Sequence, residues 1–326
     1  MTKTQATTTF SYTLTELVGF SDKASVAYDI NNSGQVVGYS YPATGSMHAV
    51  LWNNGKLIDL KKPVAIPYND ASGINNAGQV VCNLDPGRGV AGRCPYLWQN
   101  GTVTDIGLCG GSSSVTAINN AGQVAGFDVQ RAFAWQSGFT NYLSTLGSTN
   151  SNSRALGIND REQVVGFSST DSGHQHAVLW QNQRVIDLGT LPGGTRSEAL
   201  GINNFWKIVG WSNTSTGYKH AVFWQKRRIT DLGTLNGNAT IATAINNRGT
   251  VVGYSFTTSN SNHETPLHAF VWRNGILRNL NNLLPTNSGW ELTAAYGIND
   301  RGQIVGSGKK DGQTKAFLLT PTLTTN

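Results

Sequence analysis

The amino-acid sequence predicts an all-β protein, a seven-bladed β-propeller with four antiparallel strands per blade and an N-terminal strand that closes the last blade. Three observations predict it. A ten-residue phrase recurs seven times, its spacing is nearly constant, and the last unit lacks a strand that the start of the chain supplies. The phrase reads DINNSGQVVG, GINNAGQVVC, AINNAGQVAG, GINDREQVVG, GINNFWKIVG, AINNRGTVVG and GINDRGQIVG. Its isoleucines, Ile30, Ile74, Ile118, Ile158, Ile202, Ile245 and Ile298, stand 44, 44, 40, 44, 43 and 53 residues apart. Four short strands at a period of about 40–45 residues are the signature of propeller blades.

Each unit reads the same way. Strand A ends in the Gly-Ile-Asn segment, and an Asn-Asn-x-Gly turn reverses the chain. Strand B is the Gln-Val-Val-Gly run. Strand C is the second recurring phrase, HAVLW at 48, CPYLW at 94, RAFAW at 131, HAVLW at 176, HAVFW at 220, HAFVW at 268 and KAFLL at 315. Strand D is the LIDL, VTDIG, VIDLG or ITDLG run that follows. The seventh unit stops near Thr320-Pro321 without a strand D, and residues 12–17 supply one. The whole chain, 1–326, therefore reads as one domain, with blades at 26–60, 70–106, 114–143, 154–188, 198–232, 241–280 and 294–319. An open solenoid, the alternative, needs capping units, and none is visible.

Composition narrows the function classes. Charged residues make up 13% of the chain, and there are 38 glycines, a turn-rich β composition. The net charge of +6 comes from Lys and Arg scattered along the sequence, whereas a nucleic-acid binder concentrates them on one face. No stretch reaches the roughly 18 apolar residues of a membrane span, and the first residues lack a secretory signal's apolar core. The chain is therefore expected to be a cytoplasmic monomer with neither nucleic acid nor membrane as partner and no cofactor.

The repeats resemble the HAF repeat family, named for the His-Ala-Phe phrase that His268-Ala269-Phe270 matches directly. The Asp-Leu-Gly-Thr-Leu runs at 187–191 and 231–235 add to the likeness. The family is typically described as a probable extracellular repeat, and the resemblance implies no catalytic residues. Blades 2, 3 and 7 depart from it by lacking the His.

Strand order assigns the faces. The D-to-A and B-to-C connections share one end, the top, and the A-to-B and C-to-D turns share the other. Top loops vary, and variable loops on a rigid scaffold are where binding usually resides. Blade 3 has a minimal B-to-C loop, Asp128-Val129-Gln130. Blade 6 has the longest loops, 256–267 and 281–293, and the second places Trp290 either to cover a ligand or to anchor its own loop. Strand C residues of neighbouring blades stand roughly 15 Å apart from strand spacing. His48, His176, His220 and His268 therefore cannot share a metal, and their common register predicts a hydrogen bond within each blade.

Strand A lines the axis, so its irregular residues are the candidate site. Arg154 and Glu198, on adjacent blades, are expected to pair at the funnel mouth. Tyr28 and Tyr296 become neighbours once the ring closes. Glu198, Arg154, Tyr28 and Tyr296 are the candidate catalytic groups, a carboxylate and an Arg being suited to proton transfer or anion capture. Asp70, Ser114, Trp290, Cys94 and Cys109 are candidate ligand contacts. The three cysteines all fall in blade 2 near the top but have neither metal-site nor disulfide-scaffold spacing, and buried thiols are the plainer reading. No metal site is identified.

These features predict a small-molecule-binding propeller that uses its top funnel. The alternatives are a cofactor-independent enzyme in the same funnel, of lyase, cyclase or alkyl- or group-transfer type as in natural-product biosynthesis, and a protein or glycan interaction module.

Overall fold

The computed structural model describes residues 9–60, 68–85, 93–109, 111–148, 151–235, 237–256 and 267–324. It contains seven four-stranded antiparallel sheets, each built in the order A-B-C-D. Blade 5 is typical, with strands Ser197–Ile202, Ile208–Asn213, Lys219–Gln225 and Arg228–Asp231. Blade 7 joins Trp290–Ile298, Ile304–Lys310 and Gln313–Thr324 to the N-terminal strand Thr9–Leu17. The closing strand is longer than the expected 12–17, pairing from Leu17 opposite Ala316 to Thr9 opposite Thr324. Strand C of this blade accordingly runs past Pro321. The expected long loop at 256–267 lies outside the described residues except at its two ends.

The core lies between blades because each sheet is covered on both faces. In one such layer Val209 and Ala221 of blade 5 pack with Ala242, Ile245, Val251 and Phe270 of blade 6. Alternating Val and Ile fill these layers, and small residues sit where strand A crowds the axis. The strand-B glycines fit the same crowding. A Cβ at Gly166 or Gly210 would collide with the carbonyl of Arg154 or Glu198.

Two closed hydrogen-bond rings tie the blades together at the bottom. The first Asn of every A-to-B turn donates its side-chain amide to the carbonyl of the next blade's Asn at 3.0 Å, from Asn31 through to Asn299 and back to Asn31. The second Asn or Asp accepts the backbone N–H of the preceding blade's counterpart, again around all seven. The Asn-Asn repeat is thus the seam of the ring as well as a turn signal.

At the top six of the blades carry a clamp from strand C to strand D or to the loop that follows it. His48, His176 and His220 bond Asp59, Asp187 and Asp231 through Nδ1 at 2.7–2.9 Å. In blade 6 the Asn279 amide donates to His268 at 3.0 Å. Blade 3 lays Arg131 over the Tyr142 ring at 4.1 Å. In blade 2 a disulfide joins Cys94, which stands in the His position, to Cys109, with Cα atoms 4.5 Å apart.

Asp29 stands in blade 1 where four other blades have Gly after the strand-A bulge. Its carboxylate is buried and accepts the N–H groups of Ile74 and Ile30 at 3.0 and 2.8 Å. Burial outweighs these bonds and pushes its pKa up to about 6. The folded value lies above the unfolded one, so folding favours the protonated acid. This stabilisation is complete below about pH 4 and is lost as pH rises through 6. Urea unfolding should therefore show stability falling by up to about 3 kcal/mol between pH 4 and 7 from this group alone. Asp29→Asn should remove that component; an unchanged difference between the two pH values would refute the assignment.

Candidate functional site

The top funnel is shaped by a bulge repeated in every strand A. Register slips between Ala27 and Asp29, between Ala71 and Gly73, and at the same place in the other five blades. The residue left unpaired is Tyr28, Ser72, Thr116, Leu156, Leu200, Thr243 or Tyr296. A bulge bends its strand and re-aims the extra side chain. Ser72, Thr116 and Thr243 use this to donate their hydroxyls to Val115, Ala155 and Ala295 of the next blade, at 2.8–2.9 Å. Blades 1 and 7 place tyrosines there instead, and blades 4 and 5 leucines.

The funnel divides into two halves. Across blades 6, 7 and 1 an aromatic wall runs Phe256, Tyr254, Tyr296, Tyr28, Tyr39, Tyr41, with successive ring centroids 5.5–6.5 Å apart. Tyr28 and Tyr296, expected to be neighbours, are in edge-to-face contact at 5.5 Å. Burial raises the phenols of Tyr28, Tyr39 and Tyr296, and pushes Tyr254 up to about 12. All four hydroxyls are therefore protonated at neutral pH.

Blades 3 to 5 form the charged half. Glu198 and Arg154 are adjacent, as expected, but make no salt bridge among the described residues; this corrects the predicted pair. Each has another partner. The Glu198 Oε2 accepts the Trp211 indole N–H at 3.1 Å and the Gln175 amide at 3.2 Å. The Arg154 guanidinium lies 4.4 Å from the Phe127 ring centroid and 6.0 Å from that of Phe167. Its Nε is buried with no hydrogen-bond partner. Burial raises the Glu198 carboxyl above the usual range, opposed by Lys219, by the Trp211 and Gln175 bonds and by Arg154. Lys219 sits 4.0 Å over the Trp211 ring. Gln175, Glu198, Trp211 and Lys219 line a cavity of about 550 Å³, with His174 and Arg196 also on its wall.

The remaining candidates go elsewhere. Asp70 lines a separate cavity of about 230 Å³ with Asn83 and Arg93. Burial raises its carboxyl against the Asn83 bond and the Arg93 charge. Ser114 is not a free ligand contact: it is buried and donates to Asn83 Oδ1 at 3.0 Å. Trp290 lines another cavity, of about 590 Å³, with Glu291 and Lys309. It begins strand A of blade 7, paired with Lys310, and packs on the core of that blade. Cys94 and Cys109 are not the expected buried thiols, since they bond each other, and only Cys82 remains a buried free thiol. Among the described residues no three His, Cys, Asp or Glu side chains are arranged to hold a metal. Among the described residues no helix is long and apolar enough to cross a membrane.

Sequence reasoning passed over Trp211, Tyr39, Tyr254, Phe127 and Phe167, all of which stand directly after the strand-B Gly. That position pairs with the Val26, Asp70, Ser114, Arg154, Glu198, Ile241 series on strand A. The recurrence of an aromatic there in five of the seven blades is the signal the sequence offers.

The fold and this site define a seven-bladed β-propeller with a divided, half-aromatic and half-charged top funnel. The chain belongs to the DUF3466 family, described as a protein of unknown function, which matches residues 130–317. The family found is not the HAF repeat family, a resemblance that rests on the repeat residues alone. No curated protein matches the chain. Among solved structures it is similar to the β-propeller domain of the Trilobed protease from Pyrococcus furiosus, at 10% identity and a TM-score of 0.57, covering 92% of this chain and 98% of that one. That propeller is described as having an open velcro topology, whereas here the two ends of the chain pair. A puromycin-hydrolyzing peptidase of Mycobacterium tuberculosis is similar at 12% identity and a TM-score of 0.51, over 91% of this chain but 48% of its own length. At such identities the likeness is one of fold.

Proposed function

We propose that this protein binds a small amphipathic molecule in its top funnel. The observation that carries the reading is Arg154, a half-buried guanidinium whose Nε has no acceptor, beside a Glu198 carboxylate that its charge influences but does not pair with. A buried donor left unsatisfied is costly, and a ligand carboxylate would satisfy it in the planar geometry that suits Arg. A ligand amine or hydroxyl would face Glu198, and a flat apolar body would lie on the tyrosine wall. Aromatic amino acids and small aryl carboxylates have this chemistry and are the first probes. They should raise the melting temperature of the parent protein. Arg154→Ala or Glu198→Gln should abolish that rise without unfolding the chain. Equal shifts in parent and variants would place the ligand elsewhere.

The raised Glu198 carboxyl supports a second reading, a cofactor-independent enzyme with Glu198 as general acid or base. Turnover of a bound probe, lost in Glu198→Gln while binding persists, would distinguish the two. The Cys94–Cys109 bond supports an oxidising compartment over the expected cytoplasm.

A further inference from the structure

The end of the ring opposite the funnel gathers the positive charge that looked scattered in the sequence. Its A-to-B and C-to-D turns, with their flanking strand residues, hold ten of the 24 Lys and Arg but three of the 18 carboxylates. That surplus of seven exceeds the surplus of six for the whole chain. The turns come from well-separated stretches, so only ring closure brings them onto one disc. Two of the three carboxylates, Asp160 and Asp300, are already engaged by the amides of Asn120 and Asn204 and of Asn247 and Asn32.

Blade 5 departs furthest from the repeat here. Its A-to-B turn reads Asn203-Asn204-Phe205-Trp206, with Trp206 at φ +64° where five other blades have Gly. Its C-to-D turn places Lys226 and Arg227 at φ +49° and +63°, where four blades have Gly at the second position. Side chains with a Cβ are strained there, and Phe205 and Trp206 are 59% and 47% exposed. Core packing does not explain a bulky aromatic held in that conformation and turned to solvent. Phe139 of blade 3 and Ile276 of blade 6 protrude from turns on the same face, 81% and 49% exposed.

We propose that this face docks on an anionic lipid bilayer, with Lys and Arg at the headgroup phosphates and Phe205-Trp206 inserted at the headgroup–acyl boundary. Charge complementarity selects an anionic partner. The apolar tips stand on blades 3, 5 and 6, so a flat surface engages all of them together. A linear polyanion such as single-stranded nucleic acid would cross only a strip of the disc.

Flotation of the full chain with phosphatidylcholine vesicles, with and without phosphatidylglycerol, tests this. Binding is expected only with the anionic lipid, and it should weaken at least about tenfold from low to high salt, since each cation near such a surface is worth roughly fivefold. Phe205→Ser with Trp206→Gly should weaken vesicle binding without lowering the melting temperature, because Gly suits the positive φ. Lys226→Glu with Arg227→Glu and Arg228→Glu should do the same through charge. Unchanged vesicle binding by the folded Phe205→Ser/Trp206→Gly variant overturns the proposal, as does equal binding to neutral vesicles. Tighter binding to a single-stranded oligonucleotide than to anionic vesicles also overturns it and makes the face a nucleic-acid surface.

Discussion

A chain lacking residues 1–17 should lose its cooperative melt and aggregate. Those residues supply the whole outer strand of blade 7, paired over nine residues with Ala316–Thr324. Tyr12 and Leu17 from that strand are buried, and Tyr12 packs with Phe317, Leu319 and Leu280. Without them, a long strand C exposes its unpaired N–H and C=O groups and an apolar layer, a template for pairing between molecules. Circular dichroism melting and size-exclusion chromatography would read the loss. Adding a peptide of residues 1–17 should restore part of the transition. A truncated monomer that melts within about 2 °C of the parent, a shift no larger than a minor surface change produces, would show that closure contributes little.

Asn159→Ala should cost about 3–5 kcal/mol, the sum expected for losing four hydrogen bonds, three of them buried. The Asn159 Oδ1 accepts the N–H groups of Arg161 and Gln163, both at 3.0 Å. Its amide donates to Gln163 Oε1 at 2.8 Å and to the Asn203 carbonyl at 3.0 Å. One side chain thus builds its own turn and ties blade 4 to blade 5. The exposed Asn76 is the matched control. Its Oδ1 accepts the Asn32 N–H, so Asn76→Ala should cost about 1 kcal/mol or less. Urea unfolding of the two variants checks the contrast. Equal costs would mean that the inner ring of amides is incidental to stability.

The repeat made the ring readable from residues alone. A strand D missing after Thr320 and a spare strand at residues 12–17 fixed the closure, and closure made Tyr28 and Tyr296 neighbours. What the repeat could not reveal was which partner each irregular side chain takes. Arg154 and Glu198 face each other by register, but stacking on Phe127 and the Trp211 indole bond draw them to separate partners. Those aromatics stand on strand B, one position after a Gly that reads only as a spacer. The disulfide escaped because Cys94 and Cys109 belong to a strand and a loop whose approach depends on blade geometry. The basic face escaped because its charges are separated along the chain and meet only around the axis.

The outer clamps of the blades have a consequence for how the ring resists its surroundings. Three sectors are latched by imidazole and carboxylate, one by imidazole and amide, one by a guanidinium on a phenol and one by a covalent sulfur bridge. A thiol reductant reaches one of these latches and leaves the others in place. No single change of medium releases them together, so damage should open one sector while its neighbours still hold the circle.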